Sequence, residues 1–235
     1  MLVPNTQIPL FPLSVVLFPG MMLPLHIFEE RYKSMIKQCL ATGQSFGVVL
    51  AKSKQAQAPN TANLYLGDLY EIGTTARITA IENLNDGRMN LIAVGQDRFV
   101  IKDIFASKDD YLMGEVDPFP LEEGEQEQQK VISLLRKLRP MVRQYIDHLA
   151  DASGEDLSNA TLPSDPTALA FLAGTALQGP LGDKQKLLSA KSLSKLIADT
   201  VHVLDREDQI LIYMLQAYRA HQQIEKLPFV DYSLN

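Results

Sequence analysis

An α+β fold is what this sequence predicts, with a β-rich first half followed by a helical second half. Three observations carry the prediction. Short runs rich in β-branched residues recur up to residue 120, among them Val48-Val49-Leu50, Ala76–Ile81 and Arg98-Phe99-Val100-Ile101. Asn85-Asp86-Gly87 lies between two such segments, and an Asp-Gly pair readily supplies the positive φ angles of a tight hairpin. From Val131 onward the apolar residues return every three or four positions, the period of amphipathic helices. Residues 1–120 therefore form a β-rich unit with one helix, 121–226 a helical bundle, and 227–235 a tail without helical period.

Taken in order, the opening is punctuated by Pro4, Pro9, Pro12, Pro19 and Pro24. Each lacks an amide donor, which predicts edge strands and turns rather than a central strand. Phe18-Pro19-Gly20 is a turn, and Val15, Leu17, Leu23, Leu25 and Ile27 alternate around it as in a β layer on a core. A helix near Glu29–Ala41 buries Tyr32, Met35, Ile36 and Leu40 on one stripe, and Thr42-Gly43 stops it. Residues 51–63 are polar and read as a surface loop.

In the second half Leu134, Leu135, Leu138, Val142, Ile146 and Leu149 form one stripe. Pro140 falls within it, which predicts a kink or two abutting helices. Residues 151–164 read as a polar loop. Asp165-Pro166 offers an N-cap followed by proline at the first helical position. The helix after it buries Leu169, Leu172, Ala173, Ala176 and Leu177, and Gly179-Pro180 ends it. A short helix follows near Asp183–Ser189. Leu193, Leu196, Ile197, Val201 and Leu204 make one further stripe, Ile210, Leu211, Met214, Leu215 and Tyr218 another, with a break or cap expected at Asp205–Asp208.

The 235 residues are 46% hydrophobic and 21% charged, an ordinary globular composition that leaves no room for a disordered or collagenous chain. The single cysteine, Cys39, permits neither an intramolecular disulfide nor a four-thiolate zinc site, and is expected to be a buried structural thiol. No apolar run reaches the roughly 18 residues of a membrane span, and no basic flank precedes an apolar core at the N-terminus. The expected compartment is cytoplasmic. A net charge of −6 disfavours a nucleic-acid surface, and residues 1–120 alone carry 10 basic against 12 acidic side chains.

Catalytic patterns are missing. There is no GxxxxGK[ST] phosphate loop, no GxGxxG and no HExxH. Gly43-Gln44-Ser45-Phe46-Gly47 matches the string GxSxG, but it follows the helix stop and leads into the Val48-Val49-Leu50 run, the reverse of the strand-to-helix order of a nucleophile elbow. His26, His148, His202 and His221 are scattered, and His202 with Asp205 reads as an ordinary helix-face pair. No cofactor and no metal is expected. Arg136, Lys137, Arg139 and Arg143 follow the acidic stretch Glu122–Glu127, an order that complements a helix dipole and reads as a solvated face, with an acidic partner or RNA as the alternative.

The opening residues carry a resemblance. Ile8–Leu13, Val15–Gly20 and Leu23–Tyr32, followed in order by Phe46–Leu50, Ile72–Ile78, Asp86–Leu91 and Gly95–Phe99, resemble the N-terminal, substrate-binding domain of Lon proteases, in its stand-alone bacterial form. Asp165-Pro166 and Lys184–Leu188 extend the likeness more loosely. The resemblance implies a PUA-like β pseudo-barrel followed by a helical bundle, and no catalysis, because ATP hydrolysis and peptide cleavage in Lon belong to downstream modules. It implies a non-enzymatic module that binds unfolded or partner proteins through apolar surface, as an adaptor in protein quality control. A scaffold subunit is the alternative, and PUA-like RNA binding a weaker one that the acidic charge opposes. Candidate contact residues are Met21 and Met22, with Pro19 in the turn before them. Two flexible thioethers suit a permissive apolar contact; plugging one end of the barrel is the other reading. Pro228–Tyr232 is either a docking segment or an added strand.

Overall fold

The computed structural model describes residues 2–53, 65–122, 125–157 and 160–225. Six strands make one sheet: β1 (Thr6–Leu13), β2 (Met22–Ile27), β3 (Phe46–Leu50), β4 (Ile72–Asn83), β5 (Met89–Ala106) and β6 (Leu112–Pro118). Their order is β2-β5-β4-β3-β1-β6, and β5 also pairs with β6, so all but β2 close into a barrel. Five helices complete the fold: α1 (Glu30–Thr42), α2 (Glu125–Ser153), α3 (Pro166–Ala176), α4 (Leu181–Leu188) and α5 (Leu193–Glu225). This is the expected α+β architecture, a pseudo-barrel continued by helices.

Closure follows from the length of β5. Its first half pairs with β2 and β4, while Phe99–Ala106 pairs with β6. A bulge between Ile101 and Asp103 bends the strand between these partners. The barrel interior holds Ile8, Leu10, Val49, Phe99, Ile101 and Val116. On the other side, α1 lays Tyr32, Met35, Ile36 and Cys39 over Phe11, Phe46 and Val48. β3 is therefore buried on both faces, which is why it reads as an unbroken apolar run.

Several expectations need correction. β1 is an interior strand despite Pro9 and Pro12. Pro9 has a ladder partner only in β6 (Met113) and Pro12 only in β3 (Val49), so each proline sits where one flank has no ladder. The hairpin has a three-residue loop closed by Leu84 and Arg88, and Gly87 (φ 79°) alone takes a positive φ. Val15 and Leu17 lie outside any strand. Val16, Leu17 and Phe18 are all buried, Leu17 in the α1 cluster and the other two against the helices. Leu40 is exposed, and Cys39 takes its place on the buried stripe of α1.

α2 runs unbroken through Pro140, one helix rather than two. Its expected stripe lies on the helical core, joined by Tyr145. The polar loop after it begins at Gly154, and Leu157 and Leu162 within it pack against that core. Arg139 and Arg143 donate to the carbonyls of Pro163 and Ala160, so these two cations tie down the loop. Asp165 caps α3 as expected, its Oδ2 accepting from the Ala168 amide at 2.7 Å. α5 continues through Asp205–Asp208 without a break, and Ile210, Met214 and Tyr218 beyond it are exposed rather than core. The tail 227–235 and most of the loop 51–63 fall outside the described residues.

Candidate functional site

β2 is the free edge of the sheet, and its burial alternates. Leu23 and Ile27 face the core, whereas Met22, Pro24 and His26 face outward. Register extends this outer face over two more strands. Met22 lies opposite Val94, Pro24 opposite Ile92 and His26 opposite Asn90. On β4, Arg77, Ala80 and Glu82 continue the three rows. Met22 is 68% exposed and Ile92 40%. Pro24, His26, Ala80, Ile81, Asn90 and Ile92 line a concavity of about 430 Å³ here. Phe28, exposed just past β2, brings its ring to 6.2 Å from that of His26.

One end of the concavity is polar and internally bonded. Arg88 pairs with Asp86 at 2.6 Å and holds that carboxyl down at about 2. Its Nη1 lies 3.4 Å from His26 Nε2, and His26 Nδ1 lies 2.7 Å from Asn90 Oδ1. An amide oxygen only accepts, so Nδ1 is the protonated nitrogen. Asn90 Nδ2 in turn donates to Glu82 at 3.2 Å. The other end combines Met22 and Val94 with the exposed guanidinium-bearing Arg77 at the far side of the row.

The edge itself resists strand addition. The Met21 carbonyl accepts from the Gly95 amide, so odd-numbered residues of β2 point their backbone groups at β5 and even-numbered ones at the free edge. At the middle of that edge stands Pro24, which has no amide. Side chains, not backbone pairing, are what this face presents.

The two methionines separate. Met22 projects from the outer face, while Met21 packs, partly buried, against both the α1 cluster and the helical core. Pro19 is half-buried in the turn, which the Met21 amide closes on the Phe18 carbonyl. Pro24, Ile92, Ala80, Asn90 and Glu82 were not read as site residues from sequence. Alternation along Met22–Ile27 carries the signal for Pro24 and His26. Ile92 and Ala80 join them only through a register that shifts between Ile78 and Ala80. Among the described residues no group of three His, Cys, Asp or Glu side chains could hold a metal ion, and no helix is long and apolar enough to cross a membrane. Cys39 is 2% exposed, and burial pushes its thiol up to about 11.

A closed mixed sheet with one free edge strand, an outer face of mixed apolar and polar rows and a helical continuation defines an α+β module. The chain belongs to the family of the ATP-dependent protease La (LON) substrate-binding domain, whose model matches residues 7–206. It is similar to Lon protease 2 of Myxococcus xanthus, 26% identical over 205 residues, and to Lon protease 1 of Syntrophobacter fumaroxidans, 27% identical over 210. These matches cover 87% and 86% of this chain but only 24% and 25% of those proteins, so the chain spans about a quarter of their length. Among solved structures, the N-terminal domain of Mycobacterium avium complex Lon protease superposes with a TM-score of 0.61 at 18% identity, covering 85% of this chain and 98% of that one. The Lon N-terminal domain protein from Xanthomonas campestris gives 0.55 at 23%, covering 84% and 98%. Both likenesses speak to the fold.

Proposed function

We propose that this chain is a non-enzymatic binding module that takes apolar segments of unfolded or partner polypeptides on the outer face of β2, β5 and β4. The observation that carries the reading is the exposed Met22 next to Pro24 and Ile92, the latter two lining a concavity of about 430 Å³. A contiguous apolar patch of this kind marks an interaction surface more often than an accident of packing. Family membership supports the same reading, because the matched family is described as substrate-binding. The sequence has no phosphate-loop or HExxH pattern, and Ser45 of its GxSxG string sits between α1 and β3 with its hydroxyl on Gln96 Oε1 rather than on a histidine, which supports binding without bond breakage. Met22 is the principal contact, and Met21 and Pro19 position it from the turn. The role is that of an adaptor in protein quality control in a cytoplasmic compartment.

Reduced, carboxymethylated α-lactalbumin, a chain that cannot refold, is the probe. Saturable binding in the micromolar range is expected, with native α-lactalbumin as the control that fails to bind. The double substitution Met22→Asp, Ile92→Asp weakens binding at least tenfold, about 1.4 kcal/mol. Met22 is mostly exposed and its change costs within about 0.5 kcal/mol, whereas Ile92, 40% exposed between two strands, costs about 1 kcal/mol, so the double variant is checked for a folded state before binding is compared. Absence of saturable binding, or hydrolysis of ATP or casein by the pure protein, contradicts the reading.

A further inference from the structure

The outer face of β2, β5 and β4 carries two charges of opposite sign, one at each end. Arg77 closes the row of Met22 and Val94, and Glu82 closes the row of His26 and Asn90. Five positions apart, the two would point to opposite faces of a regular strand. The register shift between Ile78 and Ala80 inserts one residue, Thr79, whose hydroxyl donates to the Ile92 carbonyl at 3.0 Å. Arg77 and Glu82 therefore stand on the same face, with the row of Pro24, Ile92 and Ala80 between them.

Both side chains are exposed. Among the described residues neither is paired with an opposite charge, and Glu82 is held only by the uncharged Asn90 amide, 3.2 Å away. The other charges at this end cancel in pairs: Arg88 with Asp86, and Lys33, beside Gly87, with Glu30. Glu82 also lines the concavity of about 430 Å³, so its carboxylate stands at the rim of an apolar floor. Whatever covers this face has to bring an acid to one end, a base to the other and an apolar group between them.

Resting on the reading that this face takes polypeptide segments, we propose that it selects an extended one with an acidic, an apolar and a basic residue at alternate positions. Alternation turns three such side chains to one side of the segment. The three rows are two residues apart along β2, so the outer two are separated by about 14 Å, the reach of four extended residues. The acid pairs with Arg77 and the apolar side chain enters the concavity over Ile92. The base reaches Glu82, laying its aliphatic stem along the apolar floor. Either chain direction meets the pattern, because side chains and not backbone groups make the contacts. A second copy of this chain fits less well: two concave faces brought together leave a void whose lining loses its contacts.

Fluorescein-labelled peptides with a central phenylalanine, read by anisotropy against the full chain at low salt, test this. The alternate positions flanking the phenylalanine carry aspartate and lysine, two aspartates, two lysines, or asparagine and glutamine. The aspartate–lysine peptide is expected to bind about three- to tenfold tighter than the neutral one, as two exposed ion pairs allow, and to lose that margin at about 1 M salt. Glu82→Arg is expected to turn the preference to the peptide with two aspartates, and Arg77→Glu to the one with two lysines. Glu82→Gln, which keeps an acceptor for Asn90, should leave only the margin of the Arg77 pair. Equal affinities, or preferences that the substitutions do not move, overturn the proposal while binding of reduced, carboxymethylated α-lactalbumin keeps the broader reading. If that chain does not bind either, the face is no polypeptide site and both fall. A dimer in sedimentation that Glu82→Arg dissociates also overturns the proposal, because a second copy then holds the face.

Discussion

Cys39 is a neutral thiol packed among Met35, Ile36, Phe46 and Val48, and that environment gives the protein an alkaline limit. Burial raises its pKa from 9.0 to about 11, so the folded state holds this proton more tightly than the unfolded chain does. The sign follows by linkage. The contribution is complete below pH 9, falls as the pH rises, and is lost by about pH 11, for a total of about 2–3 kcal/mol. Tyr32 on the same helix face, pushed up to about 12 by burial, adds a second decline that begins above pH 10. Arg98, drawn down to about 10 by burial, acts in the opposite sense and also only above that pH. Between pH 9 and 10 Cys39 contributes a loss of about 1 kcal/mol, opposed by Lys184, whose ammonium burial draws below its ordinary range, so the difference in urea midpoint between the parent and Cys39→Ala isolates the thiol. A thiol reagent should label the native protein negligibly at pH 8; rapid labelling would show the site open. The burial of Cys39 was legible in the sequence from its place on the helix. That Leu40 is exposed instead was not, because the sheet covers Arg31, Tyr32 and Lys33 at the start of α1 but only Cys39 in its last turn, a difference set by tertiary packing and not by spacing.

At the scale of elements, the charged run Asp205–Asp208 is a junction rather than a break. Glu207, buried in α5, accepts from Tyr145 on α2 and from the Gln178 and Gly179 amides between α3 and α4. Asp208 faces Gln144 and His148 on α2, at 3.0 and 2.6 Å. Glu207→Ala leaves two amides and a phenol without their acceptor, at a cost of about 2–4 kcal/mol. Gly179→Ala is expected to cost a similar amount for a linked reason: a Cβ there would stand 2.1 Å from Glu207 Oε1. Combined, the two should be strongly sub-additive, by about 1–3 kcal/mol, since removing the carboxylate makes room for the methyl. Simple addition in chemical denaturation would place the clash elsewhere. Sequence reasoning reads four consecutive charges as a helix end because their partners lie about 30 and 60 positions away. The same distance effect hid the interior placement of β1 and the Ile92 and Ala80 part of the outer face of β2, β5 and β4. Signals that are local, such as the Asp165 cap, the Gly87 turn and the α2 stripe, were readable because the physics that sets them acts within one or two turns of chain.

At the scale of the molecule, the sheet and α1 have two clusters of their own, but the core of the helices is shared with the sheet. Val16, Phe18 and Leu50 from the β-rich half belong to the same cluster as Phe171, Leu188 and Leu196. The Phe18 and Phe171 rings stand 6.1 Å apart. Arg98, on β5, donates from Nη1 to the carbonyls of Leu188 and Ala190 at 2.6 and 2.7 Å, across the end of α4, and lies over the Phe119 and Phe171 rings. A guanidinium so placed, 5% exposed, is desolvated by the same helices that bring its two acceptors, so this buried arrangement exists only when both halves are folded. The boundary near residue 120 that composition suggests is therefore expected to be invisible to unfolding. Calorimetry should give one transition whose van't Hoff enthalpy is roughly 160 kcal/mol, the whole-chain value, and not roughly 80, the value for either half melting alone. A fragment of residues 1–120 should give a collapsed, poorly dispersed NMR spectrum, because Phe18, Val16 and Arg98 face water in it. Two resolved transitions, or a well-dispersed spectrum from the fragment, would mean that the helices are an accessory to an autonomous barrel. The apolar face of β2, β5 and β4 would then have to be judged on the barrel alone.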